Sequence, residues 1–233
     1  AMFAGGSGTA EDPYLISRGT QLYNIDEYAF DGKHFKQIAD IDLGGYFSLV
    51  QGWEPIGNGE VPFIGTYDGD SHTISNLFVN HGDSDNIGLF AAIGMGSIIR
   101  NVELIDTDVT GEDSVGALAG WNNGLVENTY ATGAVNGDGD AVGGLIGTND
   151  GTVTGSYFDG TVTTVAGNAS GDLAGGLIGV NYENGSITDC YAIATVTSEV
   201  GYGTGGLVGA NSGPINDSHA ICSVTGNDTV GGL

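Results

Sequence analysis

The chemistry that this sequence could perform rests on few side chains. Lys33, His34 and Lys36 form the only local basic cluster, on a strand leading into Asp40-Ile-Asp42. Lyases of uronate polymers need such cations to neutralise a substrate carboxylate, and a base to take the α-proton. The same three residues also read as ordinary exposed strand positions. Glycoside hydrolysis needs two carboxylates about 5 to 9.5 Å apart, and Asp40 with Asp42 is the most regular pair. With 29 acidic residues some pair always meets that distance, so Asp40 and Asp42 are read first as turn and surface residues. The four histidines, His34, His72, His81 and His219, are scattered without metal-ligand spacing. Neither an EF-hand loop nor a calcium-binding nonapeptide is present. The loop clusters Asp138-Gly-Asp140 and Asn149-Asp150-Gly151 offer Asp138, Asp140 and Asp150 as candidate ligands of a structural calcium. Turn chemistry accounts for them equally well. No other cofactor is implied.

The elements that must position these groups follow from composition and repetition. Of 233 residues, 40% are hydrophobic and 14% charged, too apolar for a disordered acidic chain despite a formal charge of −25. Glycine is the outlier at 44 residues, while proline is only 4, which excludes collagen and polyproline linkers. The four cations, Arg18, Lys33, Lys36 and Arg100, leave a surface that repels phosphate backbones and anionic lipid. Nucleic acid and membrane insertion are therefore not expected. Such a surface suits a salty or extracellular setting. No segment reads as a signal peptide or a membrane span. Gly231-Gly232-Leu233 opens a repeat, so the chain is expected to be part of a larger protein.

A Gly-Gly-Leu-type strand recurs with its leucine at Leu89, Leu118, Leu145, Leu177, Leu207 and Leu233, at intervals of 29, 27, 32, 30 and 26. After it comes an Asn/Asp/Gly turn, then a branched apolar residue (Val126, Val153, Ile187, Ile215), then a longer strand. The longer strands Thr129–Val135, Ser156–Val162, Cys190–Val196 and Ser218–Val224 align without gaps. Side chains alternate faces along a strand, so the terminal valine sets which columns point inward. The inner columns are Thr129, Ser156, Cys190, Ser218; then Ala131, Phe158, Ala192, Ala220; then Gly133, Gly160, Ala194, Cys222; then the valines. Small and apolar residues are what a narrow bore holds. One repeat cannot bury its apolar face alone, but stacked repeats share a core. Parallel crossovers are right-handed, and the period is too short for a βαβ unit. The expected fold is all-β: a right-handed parallel β-helix (solenoid) with about three short strands per coil.

It forms a single domain, 1–233, in which 1–85 supply an N-terminal cap and irregular coils and 86–233 the repeats. Thr20 to Phe30 places Leu22, Ile25 and Ala29 on one helical face, reading as a short N-terminal capping helix with Ser17 or Thr20 as its N-cap. Asn101 to Thr110 is one residue longer than the later long strands. Cys190 and Cys222 both face inward but one coil and two residues apart, or roughly 8 Å between Cα atoms. A disulfide needs about 4.4 to 6.8 Å, so two free buried thiols are expected.

The Gly-Gly-Leu-Ile-Gly, Asn-x-Gly, Ile-x-x-x-Tyr-Ala and Val-Thr pattern resembles the GLUG repeat of large bacterial and some archaeal surface proteins, among them adhesins, haemagglutinin-like and IgA-peptidase-like proteins. Upstream, Phe3–Thr9, Asp12-Pro13-Tyr14, Asp40–Leu43, Phe63–Gly69 and Ile74–Leu77 resemble the segment that commonly precedes such repeats. The resemblance covers nearly the whole chain and implies an extracellular or cell-surface location. It carries no catalytic signature. On the outer side Tyr130, Tyr157, Tyr191 and His219 form a column that could stack on sugars beside hydroxyl-bearing Thr and Ser columns; an aromatic ladder stabilising the stack is the plainer reading. An ice-binding threonine array is broken by Asp159, Ile193 and Ile221. The expected function is a non-enzymatic adhesin or stalk that binds a glycan or a host or cell-surface protein, or acts as a spacer. The alternative is a carbohydrate-active β-helix, a polysaccharide lyase or hydrolase.

Overall fold

The computed structural model describes residues 2–45, 50–165, 172–199 and 201–233. The chain winds as a parallel β-solenoid with three faces and a narrow corner. What we term the short face is a sheet of eight parallel strands: Tyr14–Ile16, Lys33–Gln37, Gly65–Asp68, Ile98–Arg100, Leu125–Glu127, Thr152–Thr154, Ser186–Thr188 and Ile215–Asn216. The long face stacks Glu103–Gly111, Tyr130–Gly137, Tyr157–Thr164 and Tyr191–Ser198, continued by shorter strands at either end. A five-stranded asparagine face follows each Gly-Gly-Leu: Phe90–Ile93, Ala119–Asn122, Ile146–Asn149, Ile178–Asn181 and Val208–Asn211. A fourth element, not expected from the sequence, is a corner strip of Val142–Gly143, Leu173–Gly175, Gly203–Gly205 and Thr229–Gly231.

The long strands pair in the register that the repeat alignment predicts. Tyr130, Tyr157 and Tyr191 are partners, as are Val135, Val162 and Val196. The inward columns are buried: Leu118, Leu145, Leu177 and Leu207 from one face, Val126, Val153 and Ile187 from another, and the valines from the third. Each such side chain contributes about 1.5 to 3 kcal/mol by leaving water. Phe158 stands between Ala131 and Ala192 in its column, and Gly144 makes room for it; a Cβ at Gly144 would lie 2.2 Å from the Phe158 ring. The extra residue in the first long strand becomes a β-bulge: Leu104 pairs with Ala131 but Thr107 with Gly133. Asp106 takes the left-handed conformation there, at φ 56°.

The N-terminal coils are the same solenoid filled by larger side chains. Phe35, Phe63, Tyr67 and Phe90 are fully buried, with Phe63 and Phe90 rings 5.1 Å apart. Inside this aromatic core the Tyr67 hydroxyl donates to Gln37 Oε1 at 2.9 Å. The capping helix is Gly19–Tyr23, continued by a 3-10 turn over Asn24–Tyr28, and Leu22, Ile25 and Ala29 are its buried residues. Neither Ser17 nor Thr20 is its N-cap: that position is Arg18, without a side-chain cap. Ser17 instead donates from its N–H and its hydroxyl to Gln21 Oε1, at 2.9 and 3.0 Å.

Cys190 and Cys222 are unpaired; Cys190 is buried as expected, but Cys222 is only partly buried. Each thiol lies against backbone carbonyls, Cys190 Sγ 3.2 Å from Thr188 O and Cys222 Sγ 3.1 Å from Gly206 O. Burial raises both thiols above the usual range. Cys190 is therefore expected to resist an aromatic disulfide reagent in the native protein and to react at once in denaturant. A non-reduced mass lower by two hydrogens would instead reveal a disulfide.

Candidate functional site

Every outward position on a face repeats one coil later, so the surface of this molecule is a set of ladders about 4.8 Å per rung. The aromatic ladder runs up the long face. Tyr130 and Tyr157 stack at 4.6 Å and 6°, Tyr157 and Tyr191 at 4.5 Å and 8°, and Tyr191 and His219 at 5.4 Å and 11°. Its foot is Glu103, whose carboxylate accepts the Tyr130 hydroxyl at 2.7 Å. Burial, then that bond, raises the Tyr130 phenol above its ordinary range. The inner rings spend their faces on one another, leaving edges and hydroxyls outward.

A second ladder, on the short face, alternates in charge. Register places Lys36 beside Asp68, Asp68 beside Arg100, and Arg100 beside Glu127. Arg100 Nε donates to Asp68 Oδ2 at 2.9 Å, and Lys36 Nζ meets Asp70 at 3.0 Å. Asp68 is held below the usual carboxylate range; its partial burial opposes this, and bonds from Asn101, the Asp70 N–H and Arg100 outweigh it. Lys36, Asp68 and Arg100, with His34, Thr66 and Pro13, line an open cavity of about 290 Å³. Its N-terminal wall is fixed by the His34 N–H bonding Gly8 O at 3.0 Å. The sequence singled out Lys33, His34 and Lys36 but could not show that Arg100, two coils away, joins His34 and Lys36 at this cavity, whereas Lys33 is not among its lining residues.

The other candidates separate. Asp40 accepts from the Thr73 N–H at 3.0 Å and lies 3.3 Å from His72; Asp42 accepts from the Gly44 N–H and Asn76. Asp42 thus caps its own turn, and both carboxylates tie this coil to the next. Asp138 and Asp140 lie on the corner after the long face, whereas Asp150 lies after the asparagine face, bonded by Asn184 Nδ2 at 3.1 Å. The three do not meet. Asp138 and Asp140 instead share their corner with Asp113 and Asp172, both pushed up by burial and, beyond it, by neighbouring carboxylates.

What the sequence missed lies inside. Asn122 Nδ2 donates to Asn149 Oδ1 at 2.8 Å, Asn149 to Asn181 at 2.7 Å, and Asn181 to Asn211 at 2.8 Å. Each amide also reaches a glycine carbonyl of its own corner, as Asn149 does to Gly151 O at 3.1 Å. The first three asparagines are completely buried.

This combination of Gly-Gly-Leu strand, asparagine corner and long strand matches a known repeat. Residues 138–163 and 170–197 fit the family described as the GLUG motif. Two coils of this solenoid thus match the GLUG motif. A "Putative Gly-rich membrane protein" of Evansella cellulosilytica is 41% identical over 132 residues, which are 55% of this chain and 15% of that protein. Halomucin of Haloquadratum walsbyi is 37% identical over 138 residues, 57% of this chain and 2% of its own length. The chain thus spans a small part of both relatives. Among solved structures, "a putative immunoglobulin A1 protease" from Bacteroides ovatus superposes with a TM-score of 0.76 and 26% identity, over 95% of this chain and 70% of that one. The coils that match the motif therefore sit in a β-helix of a kind already seen in a crystal, and the relatives fit a surface or structural module. No helix among the described residues is long and apolar enough to cross a membrane.

Proposed function

We propose that this chain is a rigid, non-enzymatic segment of an extracellular surface protein, which spaces and presents its outer ladders to a glycan or protein partner. The observation that carries this reading is the continuity of the ladders. The buried asparagines bond from coil to coil, and the aromatic rings stack in parallel over the same coils. Such nearest-neighbour bonding turns a repeat into a stiff rod whose length is set by coil number. The names of the relatives, a membrane protein and a halomucin, support a surface setting. The acidic surface supports it too, since 29 carboxylates against four cations favour solubility in concentrated salt.

Two measurements test the reading. Inserting a second copy of residues 118–176, two coils, lengthens the rod in solution scattering by roughly 10 Å; an unchanged length refutes the spacer. On a glycan array paired with a polysaccharide panel, the expected outcome is binding without turnover, reduced by Tyr157→Ala with Tyr191→Ala. Release of reducing ends or of unsaturated products identifies a carbohydrate-active enzyme instead.

A further inference from the structure

The corner between the long face and the corner strip carries an aspartate column. Ile87, Val115 and Val142 are partners in successive coils, and Val142 pairs with Ala174. Two residues before each of these stand Asp85, Asp113, Asp140 and Asp172, one per coil. The hydrogen bonds follow the same column: the Asp113 N–H donates to Asp85 Oδ1 at 3.4 Å, and the Asp140 N–H to Asp113 Oδ1 at 2.6 Å. In the next coil the Tyr202 N–H donates to Asp172 O at 3.0 Å.

Like charges stacked rung on rung are destabilising, and among the described residues no ion pair reaches this column. Among the described residues, the ion pairs of Lys36 and Arg100 are with Asp70 and Asp68 on the short face. The decisive observation is Asp172. It is fully buried, and neither carboxylate oxygen has a hydrogen-bond partner. The charges acting on it come from Asp140, Asp113 and Asp138, and Asp138 Oδ1 is likewise buried and unpartnered. A buried carboxylate left without donors is costly unless an ion or proton satisfies it.

Geometry selects the ion. Calcium holds oxygens at about 2.3 to 2.6 Å, so oxygens on its opposite sides lie about 4.6 to 5.2 Å apart. That span equals the rise from one coil to the next, about 4.8 Å. Magnesium, at about 2.0 to 2.1 Å and strictly octahedral, would need the rungs closer than parallel strands come. No three of these carboxylates converge on a common point, so an all-carboxylate cage is not what the corner builds. We infer that this corner binds Ca²⁺ between successive rungs, with Asp140 and Asp172 as the bridging carboxylates, Asp138 beside them, and backbone carbonyls and water completing the shell. The ion would thereby fasten one coil to the next at a place where the side chains alone push them apart.

The test uses the whole chain, stripped of metal with a chelator and titrated with calcium chloride or magnesium chloride at constant ionic strength. Calorimetry should show calcium binding, with the melting temperature rising over the same range, and magnesium binding roughly tenfold or more weakly. Asp172→Asn should cost at least about tenfold in calcium affinity, and Asp140→Asn should do the same if the first variant fails to fold. Asp150→Asn, on the other corner, should leave the titration unchanged. Absence of calcium binding, equal responses to the two ions, or an undiminished response in Asp172→Asn or Asp140→Asn overturns the assignment.

Discussion

Replacing Asn149 by alanine is expected to destabilise the protein by roughly 2 to 5 kcal/mol, since each buried amide group left without a partner costs about 1 to 3 kcal/mol. The substitution removes the acceptor of Asn122 Nδ2, the donor to Asn181 Oδ1 and the donor to Gly151 O. Asn122 and Asn181 stay buried on either side of the gap. Water cannot repair such a break unless the site opens. Asn211→Ala serves as the internal comparison, because that asparagine is exposed and closes the ladder rather than bridging it. It should cost only about 1 kcal/mol, because water can replace its bonds to Asn181 and Gly213 at this exposed position. Urea unfolding of both variants measures the difference; equal midpoints would show that the ladder contributes little. Because stability here is a sum of coil and interface contributions, the Asn149→Ala transition should also broaden or divide.

The second large effect is expected at Gly176, the second glycine of a Gly-Gly-Leu. A Cβ built there stands 2.1 Å from Gly206 O and 3.0 Å from the Ala192 Cβ. The nearer atom is backbone of the next coil, fixed in the bend between Gly203–Gly205 and Val208–Asn211, so it cannot swing aside as a side-chain end would. Gly176→Ala must push two coils apart at this bend, and overpacking of this kind costs about 1 to 3 kcal/mol, occasionally more. Gly232 occupies the same place in its repeat, yet a Cβ there meets nothing within 4 Å. Gly232→Ala should stay within about 0.5 kcal/mol of the parent. If thermal unfolding ranks both variants alike, the motif's glycine answers a conformational need rather than a steric one.

These two sites show how much was legible before the structure. The long strands were read correctly because two periods agree there, the alternation of two along a strand and the repeat of 26 to 32 residues. Together they assign each residue both a face and a rung, which is why the pairing of Tyr157 with Tyr191 and of Val162 with Val196 follows from alignment alone. The corner strip was not legible, because strands such as Val142–Gly143 are too short to show alternation. The asparagine ladder was misread as plain turn chemistry for a different reason. An Asn beside a glycine looks the same in sequence whether its amide turns outward to solvent or inward to the next coil. The N-terminal coils lack a repeat, so nothing announced that Phe35, Tyr67 and Ile99 would be partners across three successive strands of the short face.

The candidate sites divide along the same line. The tyrosine column lay within one aligned strand and could be seen. The Lys36, Asp68 and Arg100 ladder joins the irregular coils to the first regular one, and Asp140 with Asp172 sits on corners of unequal length. Both needed the fold to bring them together.

One consequence of the stacking concerns force. The hydrogen bonds that join coils run along the axis of the rod, so tension between its ends pulls on a single layer of bonds at a time. A layer that parts frees one coil of about 30 residues, on the order of 100 Å of extended chain, while the layers beneath keep their registry. Such a molecule would lengthen in separate steps under load and shorten again when the load falls, behaving as a ratcheted tether in which the asparagine and tyrosine ladders set the height of each step's barrier.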